Sequence, residues 1–489
     1  MATAVGVSDQ KELRSALHVR HIIMLAVGGT IASGFMLASG GAIALAGPAV
    51  IIVYLLAGLV CVGVMTCLAE LSLQKFTAGA FAVYAQETMG HLMGFLTGWN
   101  YWLAWAAGTS GEAVAIGTYV TSLSPFHGYP VWLVALVILV LDVAVNLIGV
   151  LMMGNYEFTL STFKLIGLAV LIIVAVGAAL GIGSSGIGTT NLTNHGGFLP
   201  TGVSGILQSF LLVFFAYTGV EMVSVTAEES VDPARDVPRA LIGTAALVSV
   251  TFILAALALV LIVPWQKAGT LSSPLVNVMD TLHHPALSVF MTIVVIAGSV
   301  SALDCGVYGA SRMLFALARE GYFPKRVATI HATRKVPTLA ILVSGALMFL
   351  GVLLDVLSPN YAYVFLGSLA TLGFLWAWAI IPVSLILYRV KLGAERVAAL
   401  PWKIPFYPVL PVACIIAVAV AIIGPIFQNT PGLFGINGGA LPVVAGAIWM
   451  AVWALYYLTV GRRFKHGHEY RAQTAQDATV PTMGRSKQR

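Results

Sequence analysis

The sequence predicts an all-α membrane protein, formed by a bundle of transmembrane helices. Of the 489 residues, 59% are hydrophobic and only 9% are charged, whereas about 25% are charged in an average soluble domain. The apolar residues form long continuous runs, whereas membrane β-barrels alternate apolar and polar residues in segments of about ten. These observations favour membrane helices over a soluble fold and over a barrel.

Twelve stretches approach or exceed the length of about 20 mostly apolar residues that a helix needs to cross a bilayer. The predicted spans are 19–43, 48–74, 91–124, 131–152, 155–183, 202–229, 238–264, 285–318, 338–356, 361–388, 409–428 and 438–460. Polar tails at 1–18 and 461–489 flank them. The prediction is therefore a twelve-helix protein, with spans 3 and 8 unusually long.

The basic residues predict how the bundle is oriented. Of the 25 lysine and arginine residues, only Lys267 falls in a loop on one side, Lys164 and Arg312 fall within spans, and the other 22 fall on the opposite side. Basic residues concentrate in cytoplasmic loops. We therefore expect a multi-pass cell-membrane protein with both tails cytoplasmic, and the net charge of +6 does not indicate nucleic-acid binding.

The first span contains an unusual group of small and polar residues at mid-depth. Gly28, Gly29, Thr30, Ser33 and Gly34 occur within seven positions, and glycine in a helix interior costs about 1 kcal/mol relative to alanine. Small residues also allow close helix packing. The alternative is a helix break, which exposes backbone N–H and C=O groups and therefore has to face a cavity rather than lipid.

The sixth span carries a second group of this kind, Phe215-Ala-Tyr-Thr-Gly-Val-Glu221. Spans 1 and 6 would begin two five-helix halves, 19–183 and 202–388, and an odd number of spans places the halves in opposite orientations. Interrupted helices at matching positions of inverted repeats indicate a transporter binding site. Half-helix N-termini suit a carboxylate, and freed carbonyls suit an ammonium, so the pair suits an amino acid.

Several motifs resemble those of the amino acid–polyamine–organocation superfamily, in its bacterial amino acid permease branch. The motifs are Gly28–Phe35, Phe215–Glu221, Ala227–Arg239, Gly98-Trp-Asn-Tyr-Trp102 and Ser311–Gly321. The resemblance covers nearly the whole chain. It implies a LeuT-like fold that works by alternating access, with a ten-helix core at 19–388, discontinuous helices 1 and 6, and two peripheral helices at 409–460.

The resemblance also implies roles for individual residues at the two breaks. Backbone N–H groups of the first break would bind the substrate carboxylate, and carbonyls of the second break would bind its ammonium. The implied substrate-binding residues are Ile31, Ala32, Ser33, Gly34, Phe215, Ala216, Tyr217 and Gly219, with Phe215 at the position of an aromatic gate. Ala32 departs from the family, which usually has glycine there, and its methyl group is expected either to narrow the site or to alter the break.

Ionisable residues within the spans are functional candidates, because burying a charge in the bilayer is costly. Lys164 stands where proton-coupled relatives have a lysine in place of a bound sodium ion, and a structural ion pair is the alternative. Glu112 is a further candidate for substrate binding or proton relay. Asp304, which replaces an asparagine common in this branch, is expected near Lys164 with Ser301, or to remain neutral and act as an asparagine would.

Two further intramembrane acids invite less specific interpretations. Glu221 either serves the substrate ammonium indirectly or ties the broken sixth helix to its neighbours. Asp142 is interpreted as structural.

The overall prediction is a proton-coupled symporter of a neutral zwitterionic amino acid, with protons and membrane lipid as its other partners. An amino acid/amine exchanger, and uptake of cationic amino acids or γ-aminobutyrate-like compounds, remain alternatives. No enzymatic constellation, metal site, cofactor or Walker motif is evident in the sequence. A channel would show a continuous polar pore lining, and a receptor-like sensor would show longer cytoplasmic loops. The sequence does not predict an oligomeric state.

Overall fold

The structure is a computed structural model, and it describes residues 17–182, 189–268, 273–359, 361–400, 402–424 and 440–460. Within these ranges the chain is all-helical and has no strand, only one isolated bridge between Leu17 and Ser230. The tails predicted at 1–18 and 461–489 lie almost wholly outside the described residues.

Twenty α-helices follow one another along the described part of the chain, several of them as short pieces of one span. They are α1 (Val19–Thr30), α2 (Ser33–Met36), α3 (Ala38–Ala46), α4 (Val50–Ser72), α5 (Ala80–Met89), α6 (His91–Ser122), α7 (Val131–Asn146), α8 (Val150–Ala179), α9 (Thr190–Thr193), α10 (Gly202–Tyr217), α11 (Met222–Val225), α12 (Pro233–Ile262), α13 (Pro274–Thr281), α14 (Pro285–Arg319), α15 (Thr338–Val352), α16 (Leu354–Leu357), α17 (Ala362–Leu392), α18 (Ala394–Ala398), α19 (Val409–Ile423) and α20 (Ala440–Val460).

The helical membrane class predicted from composition is confirmed. In the described ranges, eight helical segments are long and apolar enough to cross a membrane: α3 with α4, α8, α10 with α11, α12, α14, α15 with α16, α17 and α20. Three shorter apolar helices are α1, α7 and α19. The arrangement as twelve spans in two inverted halves stays a prediction.

The outward faces of the long helices expose large apolar side chains. Leu59, Leu141, Ile173, Val250 and Ile293 are each more than half exposed, with Ile173 at 69%. Water would make such a surface unfavourable, because apolar area gains free energy when it leaves water. Lipid acyl chains are the surroundings that these faces fit.

The longest helices, α6 and α14, form the centre of the bundle. They have 32 and 35 residues and pack along each other, while α17 packs on α6 and α12 packs on α4. The interrupted helices enter this core, because α1 contacts α8, α12 and α14, and α10 contacts α3 and α4. Both predicted breaks therefore lie inside protein rather than against lipid.

The last helix, α20, packs on the outside of α6 and α17. Its main anchor is Trp453, whose ring stacks on that of Trp99 with centroids 3.9 Å apart and planes 12° from parallel. Aromatic stacking of this kind adds to the stabilisation from buried area. The helix is thus attached at one aromatic patch, and most of its surface is left for lipid.

Candidate functional site

The first helix is interrupted after Thr30, within the predicted small-residue group. Ile31 (φ −81°, ψ 88°) and Ala32 (φ −140°, ψ −165°) leave helical geometry, and α2 begins at Ser33. The extended conformation of Ala32 is one that any residue adopts, so the family's usual glycine is not needed for the backbone here. The interruption frees the N–H groups that open α2 and the carbonyls that close α1.

The glycines that suggested this break lie beside it rather than in it. Gly28 and Gly29 are helical residues of α1. A β-carbon at Gly28 would overlap Oε1 of Glu157, and one at Gly29 would lie 3.2 Å from the ring of Trp105. Their role is close approach by neighbouring side chains.

The second interruption lies at Thr218–Glu221, between α10 and α11. Gly219 has φ +105°, a conformation that costs an L-residue about 1–2 kcal/mol but costs glycine little. The hydroxyl of Thr218 donates to the carbonyl oxygen of Phe215 at 2.8 Å, which satisfies one acceptor that the end of α10 leaves free. This glycine does form the break, as the sequence indicated.

The two interruptions are in direct contact with each other. A β-carbon at Gly219 would lie 2.7 Å from the carbonyl oxygen of Gly29, and one at Gly34 would lie 3.0 Å from the carbonyl oxygen of Phe215 and 3.2 Å from Cα of Ala216. The structure thus places the two interrupted helices side by side at their breaks.

The carboxyl group of Glu112 occupies the start of α2. It accepts the N–H of Ser33 at 3.2 and 3.3 Å and the Ser33 hydroxyl at 2.6 Å. The Tyr363 hydroxyl donates to Oγ of Ser33 at 3.1 Å. A carboxylate therefore already lies where the sequence predicts the substrate carboxylate, and it belongs to the protein itself.

Lys164 lies against the carbonyl end of α1. Its ammonium donates to the carbonyl oxygens of Gly28 at 2.8 Å and Ile31 at 3.0 Å, and to Oγ of Ser301 at 2.7 Å. The side chain is completely buried. The three N–H donors of a lysine therefore match three oxygen acceptors. Two of these are backbone carbonyls that are free to accept Lys164 because the helix is interrupted here.

Glu157, which is not among the residues predicted from the sequence, joins this cluster. The hydroxyl groups of Ser161 and Ser301 both donate to Oε1 of Glu157, the former at 2.6 Å. Glu157 precedes Lys164 by seven residues on α8, so the two share one face of the helix. That spacing is the signal by which the residue could have been found.

Asp304 makes a different contact from the one expected. Its Oδ1 accepts Nδ2 of Asn146 at 2.7 Å, and none of the ion pairs within 4.0 Å in the described part of the chain joins it to Lys164. Asn146 also approaches the Asp142 carboxyl, at 3.5 Å. The expected proximity of Ser301 and Lys164 is present, whereas the direct Asp304–Lys164 pair does not form in this structure, because Asp304 is turned toward α7.

Glu221 ties the second interruption to its neighbours. It accepts the N–H of Gly219 at 3.2 Å, the Tyr101 hydroxyl at 3.3 Å and the Trp378 indole N–H at 3.0 Å. These donors come from α6, α17 and the break itself. The geometry matches the structural alternative given for this residue, since its oxygens are used inside the protein.

Two cavities lie near the interruptions and share Phe215 in their linings. A small one of about 30 Å³ is lined by both breaks and by Trp105, Thr109 and Glu112. A larger one of about 720 Å³, here called the vestibule, lies among α3, α6, α7, α10 and α17. Phe215 lines both and Gly367 lies against its ring. A pocket for a small molecule usually has at least about 300 Å³, so the central cavity is contracted.

Beyond the second interruption, on the α11 side, ion pairs hold the bundle together. Arg312 donates to Glu229 at 3.0 Å with both side chains almost fully buried, and Arg319 donates to Glu228 at 2.9 Å. The backbone of Leu17 donates to the Glu229 carbonyl at 3.0 Å. The vestibule and these contacts lie on opposite sides of the breaks, so one side is wide and the other is packed shut.

Comparison with known proteins identifies the chain at this point. It matches the family "Amino acid permease" over residues 21–469. The chain belongs to the amino acid permease family, within the amino acid–polyamine–organocation superfamily. The resemblance noted from the sequence is thereby confirmed.

Three relatives of this permease are similar along most of their length. An uncharacterized amino acid permease of Bacillus subtilis is 33% identical, over 96% of this chain and 99% of the relative. The γ-aminobutyric acid permease of the same organism is 31% identical, over 84% and 87%. The aromatic amino acid transport protein AroP of Escherichia coli is 31% identical, over 93% and 97%.

Family membership fixes the broad character of the protein. The permease is a multi-pass protein of the cell membrane, and its family and relatives are transporters of amino acids rather than enzymes. The relatives' names differ in their substrates, so membership does not identify which amino acid this permease carries.

Proposed function

We propose that this permease is a proton-coupled symporter of a neutral zwitterionic amino acid, which binds between the two helix interruptions. The observation that supports the proposal most directly is the position of Lys164. Its ammonium donates to two carbonyls of the interrupted α1 and to one hydroxyl of α14. The proposed coupling ion is H⁺, carried at this site.

The oxygen atoms around the Lys164 ammonium are the type that binds a sodium ion. Two backbone carbonyls and a serine hydroxyl are hard oxygen ligands, and here a covalently attached cation uses them. Protonated Lys164 draws α1 and α14 together, and neutral Lys164 has fewer donors for the same three acceptors. Loss of the proton would therefore loosen the contact between the interrupted helix and α14.

The substrate would replace Glu112 at the first break. The N–H and hydroxyl of Ser33 now bind the Glu112 carboxyl, and a substrate carboxylate offers them the same acceptors. Backbone N–H groups of Ile31, Ala32 and Gly34 would surround that carboxylate. Glu112 would bind Ser33 while no substrate is present and release it when substrate arrives.

The substrate ammonium would bind at the second break. We propose that carbonyl groups of Phe215, Ala216 and Tyr217 accept its N–H donors, with Gly219 allowing the necessary backbone conformation. In this structure the Phe215 carbonyl accepts Thr218, so Thr218 would exchange its acceptor on binding. The contracted cavity of about 30 Å³ has to expand for this to happen.

Alternating access would proceed by exchange between the wide and the packed sides of the breaks. Phe215 lies between the vestibule and the central cavity and would act as the gate on that side. The Arg312–Glu229 and Arg319–Glu228 pairs hold the opposite side closed. The distribution of lysine and arginine then assigns the vestibule to the outside, in a twelve-span arrangement with inverted halves at 19–183 and 202–388.

A second candidate substrate class is favoured by one observation. Glu112 lines the central cavity with a carboxyl group, which would attract the side chain of a cationic amino acid. Because relatives are named for γ-aminobutyric acid and for aromatic amino acids, these compounds are also candidate substrates. A screen of labelled compounds distinguishes these classes directly.

The test is uptake into sodium-free proteoliposomes with and without an imposed pH gradient. One pH unit corresponds to about 1.4 kcal/mol per proton, which supports about tenfold accumulation if one proton accompanies each substrate. We expect gradient-driven accumulation of a neutral amino acid, lost in Lys164→Ala. Lys267→Ala, which changes a lysine in a loop, is the matched control. Uptake indifferent to the gradient but stimulated by substrate on the far side would indicate an exchanger and contradict the proposal.

A further inference from the structure

A group of buried acids extends from the Lys164 cluster, between α7, α8 and α14. Asp142 comes from α7, Glu157 from α8 and Asp304 from α14, and their exposed fractions are 5%, 0% and 0%. Asp142, for which the sequence predicts a structural role, is linked to Asp304 through Asn146. Charges buried in this way need partners or protons.

Several acceptor oxygens of this group lack a hydrogen-bond donor. Nδ2 of Asn146 donates to Asp304 at 2.7 Å and to the backbone carbonyl of Asp142 at 3.3 Å, and it approaches the Asp142 carboxyl at 3.5 Å. Three buried oxygens have no hydrogen-bond partner in the structure: Oδ2 of Asp304, Oδ1 of Asn146 and Oε2 of Glu157. All three are acceptors, so what this group lacks is hydrogen-bond donors.

The charges of the group do not balance while all three carboxyls are ionised. Lys164 is the cation that interacts with Glu157, and Arg312 is already paired with the buried Glu229. One positive charge would then face three negative charges in a buried place. A proton on a carboxyl removes a charge and supplies the donor that the unpartnered oxygens lack.

We propose that Asp142, Asn146 and Asp304 form a proton-loading site, which exchanges its proton with Lys164 through Ser301 and Glu157. The inference rests on the proposed proton coupling and extends it from one lysine to a chain of groups. It goes beyond that proposal by assigning a role to Asp142 and Asn146 and by locating the proton store outside the substrate site.

Hydrogen bonds define the first step of the proposed transfer, and the second step has to cross from α8 to α14. Lys164 donates a proton to Oγ of Ser301, whose own hydroxyl proton passes to Oε1 of Glu157, so that Lys164 becomes neutral and Glu157 becomes a carboxylic acid. Rotation of the Glu157 carboxyl then turns this same proton toward α14, where an oxygen of ionised Asp304 accepts it and Glu157 becomes a carboxylate again. Ser301 and Asp304 are three residues apart on α14 and therefore share a face.

The other ionisable groups around the site are few and can be named. Tyr156 and Glu157 interact with Asp304 from α8, Asp142 interacts from α7, and Cys305 and Arg312 interact from α14 itself. In the described ranges, no group of three or more histidine, cysteine, aspartate or glutamate side chains has a geometry that could hold a metal ion. The site therefore consists of acids and one amide, with Lys164 and Arg312 as the cations that act on it.

The test separates gradient-driven accumulation from substrate exchange. Asp142→Asn and Asp304→Asn, singly and together, keep side-chain size while removing the sites that take up protons. In proteoliposomes with one pH unit across the membrane, we expect accumulation by the double variant to fall from about tenfold to about onefold. Counterflow of labelled substrate, which needs no net proton movement, should persist. Asp280→Asn is the matched control. The carboxyl of Asp280, in α13, accepts the hydroxyl of Ser288, in α14.

Unchanged accumulation and an unchanged pH profile in the double variant would overturn this inference while leaving the proposed function intact. If the unaltered protein shows exchange without gradient-driven uptake, the proposed function itself fails, which is a different outcome. If the double variant does not fold, Asp304→Asn alone decides, because it restores the family's common asparagine. Loss of counterflow together with accumulation in that single variant would also contradict a role confined to proton loading.

Discussion

The buried ion pair between Arg312 and Glu229 gives the sharpest prediction about how the packed side of the permease opens. Its side chains are 2% and 1% exposed and its N–O distance is 3.0 Å. Glu229→Gln leaves the arginine charge without its partner. Removing one member of a buried pair typically costs about 3–5 kcal/mol.

The expected cost lies at the lower end of that range, because Arg312 keeps other contacts. The Tyr308 ring lies 3.8 Å from its guanidinium carbon, and Oγ of Ser311 accepts one of its N–H groups at 3.2 Å. We therefore expect about 3 kcal/mol. If this free energy destabilises only the conformation in which the packed side is closed, the ratio of closed to open protein falls by about a hundredfold.

The assay is labelling of a reporter cysteine on the packed side. Ala78 is fully buried and its N–H donates to Glu228 at 2.9 Å, so Ala78→Cys reports when this side opens. The four native cysteines are buried, which keeps the background low. Labelling of the reporter should be much faster with Glu229→Gln than without it.

Two controls make this prediction refutable. Glu87→Gln breaks the exposed pair with Lys75, and exposed pairs contribute only about 0–1 kcal/mol, so labelling should not change. Methionine at both Glu229 and Arg312 removes both charges and should label more slowly than Glu229→Gln. If Glu229→Gln labels no faster than its parent, the ion pair does not hold this side closed.

Three further substitutions test other parts of the account. Gly219→Ala should abolish uptake and lower the thermal unfolding temperature, since φ +105° costs an L-residue about 1–2 kcal/mol and the new methyl group would meet the Gly29 carbonyl. Retained uptake would mean that the second break does not need this conformation. Glu112→Gln should keep neutral amino acid uptake, because its amide oxygen still accepts Ser33; loss confined to lysine or arginine uptake would favour the cationic candidate. Glu221→Gln should lower stability by about 1–3 kcal/mol, measured by thermal unfolding in detergent, since a group with three donors around it loses its charge; unchanged stability would contradict the structural role.

Much of the fold follows from patterns that act along the chain. Apolar runs of span length predict the long helices to within a few residues, because a helix surrounded by lipid and other helices is apolar on all its faces. The start of α6 and the extent of α14 match the predicted spans 91–124 and 285–318 closely. The number of spans, their arrangement in two inverted halves and their orientation stay predictions, since eight helical segments in the described residues reach membrane-spanning length, whereas the apolar helices α1, α7 and α19 are shorter.

The interruptions were located by composition, but their causes differ. Gly219 causes the break between α10 and α11 because it takes a positive φ, and a glycine at mid-span is a recognisable sign of such a conformation. The first break falls at Ile31 and Ala32, whereas the nearby Gly28 and Gly29 remain helical and only allow close contacts. A run of glycines indicates that something unusual is near, and it does not say which peptide leaves the helix.

The polar contacts between helices were the least predictable part. Lys164 with Ser301 was expected from the family resemblance, while Asn146 with Asp304 joins residues 158 positions apart. Such a contact depends on how two helices rotate about their axes, and a single sequence does not report that rotation. The hydrogen bond between Glu112 and Ser33 is equally hard to predict, since a carboxylate of either the substrate or the protein can accept the Ser33 N–H group.

The central claim is that protons move with the substrate through Lys164. The most direct measurement is the pH inside sodium-free proteoliposomes, read by an enclosed indicator, when a transported amino acid is added outside without any imposed gradient. The account predicts acidification of the interior that depends on the substrate and is absent in Lys164→Ala. Substrate uptake without any change of internal pH, or acidification that persists in Lys164→Ala, would contradict it.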